Sequence, residues 1–216
     1  MTSIATVDAQ RIEREIAALE ARAGIQVVAA VVPRSDSYPE LPWRAFALGA
    51  SVAALCALLV DLGYSERLTA QALLLQALAI LGGGAVAAAS VHVFPPVARG
   101  FLAAARATGE VRQCAEGMFV ARELFLAPGR DAVLILVSLF EHRVVIVPDI
   151  FYRGRVATAD WEVVVGCMTP LLRQGRTTEA FIAGLGALDA LLAAKGVSSG
   201  RRANALPDTL VRGIAP

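Results

Sequence analysis

Two uncharged apolar stretches decide how this chain folds: AFALGASVAALCALLV at 45–60 and LTAQALLLQALAILGGGAVAAASVHVFPPVA at 68–98. A helix needs about 20 apolar residues, and no fewer than about 17, to cross the hydrocarbon core of a bilayer. The second stretch exceeds this length, and the first, with 16 uncharged residues, reaches it when Asp61 lies at the interface. We therefore expect a transmembrane hairpin of two helices, about 45–62 and 70–92, joined by a short polar turn.

Positive charges beside the two stretches predict the orientation of the hairpin, because Lys and Arg accumulate in short cytoplasmic flanks. Arg34 and Arg44 precede the first span, and Arg99, Arg106 and Arg112 follow the second, whereas the turn has Arg67 offset by Asp61 and Glu66. Both chain termini are therefore expected in the cytoplasm. Trp43, at the end of a polar loop at 34–44, and Tyr64 are expected to anchor the first span at its two interfaces.

Composition argues against a nucleic-acid-binding protein, a disulfide-rich protein and a zinc protein. The formal net charge of the 216-residue chain is +1, so no global field favours nucleic acid, and we expect no nucleic-acid partner. Cys56, Cys114 and Cys167 show neither CxxC nor Cys/His spacing, which argues against a disulfide framework and a zinc site. We expect them to be buried free thiols. Residues 1–24 are charged and lack the apolar core of a cleaved signal peptide.

Outside the hairpin the pattern indicates a mixed α/β domain. Residues 7–23 place apolar side chains at helical spacing. Ile25–Val32 is a continuous β-branched run, typical of a strand buried on both faces. The runs at 131–140 and 143–149 predict a β-hairpin. Further helices are expected at about 96–108, at 111–125, from about 158 to a kink or end at Pro170, and from about 177 to Gly196, followed by an extended tail at 197–216.

Several segments together resemble the TPM-domain family, in particular its membrane-anchored bacterial branch. They are IEREIAALEARAGIQVVAAVVPRSDSYPE, ARELF, GRDAVLILVSLFEHRVVIVPD, DWEVVVGCMTPLLRQGRTTEAFIAGLGALDALLAAK and NALPDTL. The resemblance covers nearly the whole chain, and its motifs are mostly apolar strand and helix patterns that specify a fold better than an activity. It implies a protein of the bacterial inner (plasma) membrane.

The resemblance implies a TPM-like α/β (α+β) domain, with a small mixed central sheet flanked by helices, that is interrupted by the hairpin. Residues 1–43 would supply its first helix and strand, 44–98 the hairpin, 99–196 the remainder of the domain, and 197–216 the tail. An even number of spans returns the chain to its starting side. The two flanking pieces can therefore share one core, and the single early strand gains a partner.

The candidate ligand-binding residues are Arg130, Asp131, Glu141 and Asp149, with Asp160 a further acid to consider. If Asp131 begins one strand and Asp149 ends its antiparallel partner, both lie at one sheet edge beside Arg130. A salt-bridged edge and a cation or anion site are both compatible with this placement. We assign no catalytic residue and expect no cofactor. The resemblance leaves Ca²⁺ or Mg²⁺ open, because some TPM-like domains bind a divalent cation through loop carboxylates.

Three functions remain open from the sequence. The first is a non-enzymatic, membrane-anchored accessory or interaction module with an unknown protein partner, since GxSxG, phosphate-loop and HExxH motifs are absent. The second, implied by the acid-phosphatase activity of some TPM-like domains, is a cation-dependent phosphate-ester hydrolase. The third is a soluble protein whose hairpin is buried in an oligomer. The small residues of the second span could pair helices within the hairpin or between copies.

Overall fold

The computed structural model describes residues 6–63, 69–198 and 210–212. The predicted anchor Tyr64, the turn charges Glu66 and Arg67, and most of the tail lie outside these ranges. In chain order, the elements are α1 (Thr6–Ala23), β1 (Gln26–Val32), α2 (Glu40–Gly63), α3 (Ala70–Val93), α4 (Pro95–Phe101), α5 (Ala104–Ala121), a 3₁₀ turn (Leu124–Leu126), β2 (Ala132–Ser138), β3 (Arg143–Pro148), a second 3₁₀ turn (Ile150–Tyr152), α6 (Thr158–Arg173), α7 (Thr177–Ala194) and β4 (Val211–Arg212).

The chain divides into two compact units. The α/β unit is built from Met1–Asp36 and Ala107–Pro216, and the helical unit from Ser37–Arg106. The helical unit therefore interrupts the α/β unit in sequence.

The α/β unit contains a mixed sheet with the strand order β3-β2-β1-β4. β1 pairs in parallel with β2 over seven residues, from Gln26 opposite Ala132 to Val32 opposite Ser138. β2 and β3 pair antiparallel, as predicted for the β-hairpin, and β4 adds a short parallel edge strand beside β1. The predicted α/β class with a small mixed sheet is confirmed. The early strand finds its partner about a hundred residues later in the chain.

Helices cover both faces of this sheet. On one face, Val27, Ala29 and Val31 of β1 join the alternate residues of β2 in a core closed by α1, α6 and α7. On the other face, Val28 and Ala30 pack with their β2 neighbours against α5 and the first 3₁₀ turn. Every residue of β1 and β2 is buried, and this two-sided burial explains why the two strands read as continuous apolar runs.

The helical unit is dominated by α2 and α3, which pack antiparallel. A Cβ at Gly49 would meet Ala87 Cβ at 2.5 Å and the Gly83 carbonyl oxygen at 2.7 Å, so the two backbones approach closely here. Near the other end of the pair, the Gln76 amide donates hydrogen bonds of 2.7 and 2.8 Å to the Asp61 carboxylate. Each helix has 24 residues and is therefore about 36 Å long.

Within residues 6–63, 69–198 and 210–212, three helices are long and apolar enough to cross a membrane: α2, α3 and α7. In α2 and α3 only 6% of the most apolar window is buried within the protein, whereas in α7 the share is 33%. The apolar stripe of α7, including Phe181, Leu185 and Leu188, belongs to the core of the α/β unit. Protein packing thus accounts for the hydropathy of α7 but not for that of α2 and α3.

Several boundaries differ from the sequence prediction. Trp43 lies within α2, which begins at Glu40, and not in a loop. The helix predicted to reach Phe125 ends at Ala121, because Glu123 adopts a left-handed conformation with φ of 53°. The helix predicted over 96–108 is broken at Leu102, which is extended.

Two further findings concern α6 and the tail, and a correction concerns the cysteines. Of the two outcomes predicted at Pro170, a kink or an end, the end does not occur, since α6 continues to Arg173. The tail contributes Leu210, which is buried, and β4 to the sheet. The thiols of Cys56 and Cys167 are exposed, not buried as predicted, because both side chains lie on outward faces of their helices.

We expect Gly49→Ala to lower the thermal unfolding midpoint of the helical unit in detergent, followed by circular dichroism at 222 nm. The added methyl group would overlap backbone and Cβ atoms of α3, and overpacking costs about 1–3 kcal/mol. Gly82→Ala is the matched control, since a Cβ there meets no atom within 4 Å and the higher helix propensity of Ala should hold or raise the midpoint. Equal midpoints for the two variants would contradict the close α2–α3 contact.

Candidate functional site

The structure separates the four predicted site residues into two groups. Arg130, Asp131 and Asp149 lie at the end of the sheet where β2 begins and β3 ends, as the sequence predicted. Glu141 lies in the β2–β3 turn, at the opposite end. The length of β2, roughly 20 Å at the rise of a strand, lies between the groups, so Glu141 shares no coordination sphere with the other acids.

Arg130 and Asp149 form a two-point ion pair. Arg130 donates from Nε to Asp149 Oδ2 and from Nη2 to Oδ1, both at 2.9 Å. The Asp149 side chain is 4% exposed, whereas that of Arg130 is 50% exposed. Asp149 Oδ1 also accepts the Ile150 N–H at 2.7 Å. The hydrogen bonds that Arg130 donates to the Asp149 carboxylate raise the pKa of Arg130, and their charge assistance favours a fixed geometry.

Backbone hydrogen bonds close this end of the sheet around the pair. The Asp149 N–H donates to the Ala132 carbonyl at 2.9 Å, and the Phe151 N–H donates to the Arg130 carbonyl at 3.1 Å. Arg130 has a φ of 51°, in the left-handed region, at the end of a turn in which its N–H donates to Ala127. The ion pair therefore joins two loops that the backbone already holds together.

Asp131, the residue before β2, is fully buried. Its carbonyl oxygen accepts a hydrogen bond of 2.8 Å from the hydroxyl of Tyr152, which is itself buried. Tyr152 stacks edge-on against Phe151 and Trp161, with ring centroids 5.2 and 5.5 Å away. The backbone of Asp131 is thus tied to a buried tyrosine, and its side chain does not face solvent.

At the other end of the sheet, Glu141 is a buried acceptor. Glu141 Oε1 accepts the Ser35 N–H at 2.9 Å, and Oε2 accepts the Ser138 hydroxyl. Ser35 follows β1 and Ser138 ends β2, so the carboxylate ties the carboxyl ends of two parallel strands to the β2–β3 turn. His142 of the same turn is half-buried and has a φ of 50°, in the left-handed region.

Cys114 of α5 lies beside this cluster. Burial raises the pKa of the Cys114 thiol, the charge of Glu141 raises it further, and a hydrogen bond with Ser35 acts in the opposite direction. A raised pKa disfavours the thiolate, which is the nucleophilic form. Sequence reasoning missed the Ser35–Cys114–Ser138 grouping, because the three positions come together only when α5 and the two parallel strands pack.

Asp160 caps the amino end of α6. Its Oδ2 accepts the Ala157 N–H at 2.9 Å and pairs with Lys195 Nζ at 2.7 Å. Among the residues that the structure describes, no group of three or more His, Cys, Asp or Glu side chains could hold a metal ion. The candidate carboxylates Glu141, Asp149 and Asp160 each serve a different protein partner.

Comparisons with known proteins give a fold and no more. Neither the models of known protein families nor the curated proteins match this sequence. Among solved structures, the chain is similar to the NMR structure of the BA42 protein from the psychrophilic bacterium Bizionia argentinensis. That match has a TM-score of 0.58 and 11% sequence identity, and it covers 98% of this chain and 97% of the other. At this identity the likeness concerns the fold alone.

We expect Asp149→Asn to destabilise the α/β unit, because the buried carboxylate accepts from Arg130 and from a backbone N–H. Loss of such charged hydrogen bonds costs about 1–3 kcal/mol, measured as the urea midpoint by Trp fluorescence. Glu179→Gln is the matched control, since it disrupts the exposed Arg176–Glu179 pair, whose contribution should be small. Comparable decreases of the urea midpoint in both variants would contradict the expectation that the buried Asp149 pair stabilises the protein more than the exposed pair does.

The stability that the Asp160 side chain contributes should depend on pH. The hydrogen bond from Lys195, and next the Ala157 N–H, lower its pKa below the ordinary value. A carboxylate with a lowered folded-state pKa contributes stability that is complete above its unfolded pKa of about 3.9 and is lost as pH falls through the folded pKa. The difference in urea midpoint between the wild type and Asp160→Asn should therefore be constant from neutral pH to about 5 and shrink below about 4. A difference that grows on acidification would contradict this assignment.

Proposed function

We propose that the chain is an integral membrane protein in which α2 and α3 form a transmembrane hairpin. The observation that carries this proposal is the outward exposure of apolar side chains along both helices, among them Leu55, Leu59, Leu74, Leu78 and Leu81, each more than half exposed. Soluble monomers rarely expose apolar patches larger than a few hundred Å². In a bilayer these same side chains contact lipid, and their exposure no longer costs the free energy of hydrating apolar surface.

The distribution of polar groups in the helical unit supports the same proposal. Glu40 pairs with Arg106 at 3.1 Å, and Arg44 Nη1 donates to the Phe101 carbonyl at 3.1 Å. These charges gather where α2 begins and α3 ends, together with Trp43, which is 72% exposed. A belt of arginines and an exposed Trp is typical of a cytoplasmic membrane interface. We infer a multi-pass inner-membrane protein with both termini in the cytoplasm.

We further propose that the α/β unit is a TPM-like domain that acts as a non-catalytic accessory or interaction module. The support comes from the hydrogen-bond partners of its buried carboxylates. Both oxygens of Asp149 are engaged by Arg130, and both oxygens of Glu141 are engaged by Ser35 and Ser138. A cation site would need several carboxylate oxygens converging on one point. Here an arginine supplies the positive charge that a cation would otherwise provide.

Membrane integration is tested by alkaline carbonate extraction of membranes from cells that express the full chain. We expect the protein to stay in the membrane pellet and to leave it only with detergent, because the α2–α3 surface is lipid-facing. Reporters fused to either terminus should both report cytoplasmic exposure. Release by carbonate would instead support the soluble oligomer, and reporters on opposite sides would contradict the hairpin.

Catalysis is tested on the detergent-purified protein with a generic phosphomonoester, with and without Ca²⁺ or Mg²⁺. We expect no cation-dependent phosphate release from the wild type, Asp149→Ala or Glu179→Ala. Cation-dependent turnover that Asp149→Ala abolishes and Glu179→Ala retains would overturn the non-catalytic proposal in favour of a hydrolase.

A further inference from the structure

An exposed surface of arginines and aliphatic side chains lies where β2 begins and β3 ends. It consists of Leu126, Arg130, Ile150, Arg153 and Arg155, and we call it the arginine patch. All five residues are exposed. They come from two loops, one before β2 and one after β3.

Hydrogen bonds and an ion pair hold the two loops of the arginine patch together. The Phe151 N–H donates to the Arg130 carbonyl at 3.1 Å, and the Arg130 guanidinium donates to the Asp149 carboxylate. The guanidinium of Arg155 lies over the Phe151 ring, 4.2 Å from its centroid. This stacking restricts the Arg155 side chain before any partner arrives, which reduces the entropy lost on binding.

The surface charge of these two loops is strongly positive. The segments 122–131 and 149–157, both described in full, contain Asp131 and Asp149, but both carboxylates are buried. Glu123 is the exposed acid of the two segments, against the exposed arginines Arg122, Arg130, Arg153 and Arg155. An anionic partner would therefore find complementary charge here.

Aliphatic exposure distinguishes the arginine patch from a simple anion site. Leu126 is 63% exposed and Ile150 is 50% exposed. Arginine is enriched at protein interfaces, where an apolar centre is bordered by charged groups. The mixture fits a polypeptide that offers an apolar side chain together with carboxylates. The Arg130–Asp149 pair already displays the two-point geometry that a partner's carboxylate would use.

We propose that the arginine patch docks an acidic segment of a soluble protein, with the partner's carboxylates on Arg153 and Arg155 and an aliphatic side chain against Leu126 and Ile150. The inference rests on the proposed role as an interaction module and gives that module a surface and a class of partner. The Arg130–Asp149 pair is its foundation, because it fixes the loops that present the other residues.

The probe is a fluorescein-labelled synthetic peptide of glutamates interrupted by leucines, titrated by anisotropy into the full chain in detergent. We expect saturable binding that weakens as salt rises. Arg153→Glu/Arg155→Glu should weaken binding by about tenfold or more, and Ile150→Ser should also weaken it. Arg11→Glu/Arg14→Glu, which reverses the same number of exposed charges on α1, should leave binding unchanged. The peptide with glutamine in place of glutamate should not bind.

Each other outcome overturns the proposal. Absence of peptide binding does so, as does equal weakening by the two double variants, which would indicate non-specific charge attraction. Binding of the patch to phosphatidylglycerol vesicles without binding to the peptide would assign it to lipid. The single variant Arg153→Glu is the check for misfolding of the double variant. Its urea midpoint should equal that of the wild type while its binding of the peptide is weaker. Phosphate release and carbonate extraction test the module proposal separately. A protein that is inactive and membrane-integrated but does not bind the peptide would therefore contradict only the present inference.

Discussion

The parallel pairing of β1 with β2 is the interaction on which the rest of the structure depends. Its seven residue pairs join two pieces of chain that are separated in sequence by the whole helical unit. A parallel pair always needs a long crossover connection, and here α2, α3, α4 and α5 lie within it. α5 then covers one face of the pair, while α1, α6 and α7 cover the other. A hairpin with an even number of crossings is compatible with this pairing because it returns the chain to the side it left.

The two ends of that pairing are each closed by a buried carboxylate. Glu141 accepts from Ser35 and Ser138 at the carboxyl end, and Asp149 accepts from Arg130 and Ile150 at the amino end. Strand ends leave backbone and side-chain donors that must be satisfied when buried. The acids that attract attention in the sequence as ligands are therefore the acceptors that the sheet ends require, and this use explains why they do not converge.

The sequence predicted those parts of the fold that depend on local pattern. The apolar runs of β1 and β2, the β2–β3 hairpin and the arginine beside Asp149 all follow from spacing and strand pairing. The misses depend on long-range contacts or single backbone conformations. Glu123 ends α5 by adopting positive φ, and the two residues of β4 are too short to show a period. The burial of Glu141 depends on Ser35, which lies 106 residues earlier and could not be placed beside it from sequence spacing.

Hydropathy alone does not separate a helix of the core from a helix suited to lipid, and α7 shows why. It is apolar enough to span a membrane, yet its stripe packs on α1 and α6, with Gly184 close to Met168. In α2 and α3 the protein covers the small residues instead: Gly49, Gly83 and Ala87 meet, while the leucines point outward. Water would drive the opposite arrangement, with large apolar groups inside. Lipid removes that drive, and close backbone packing then holds two helices together. The inversion of small and large residues is thus the physical argument behind the proposal that this pair lies in a bilayer.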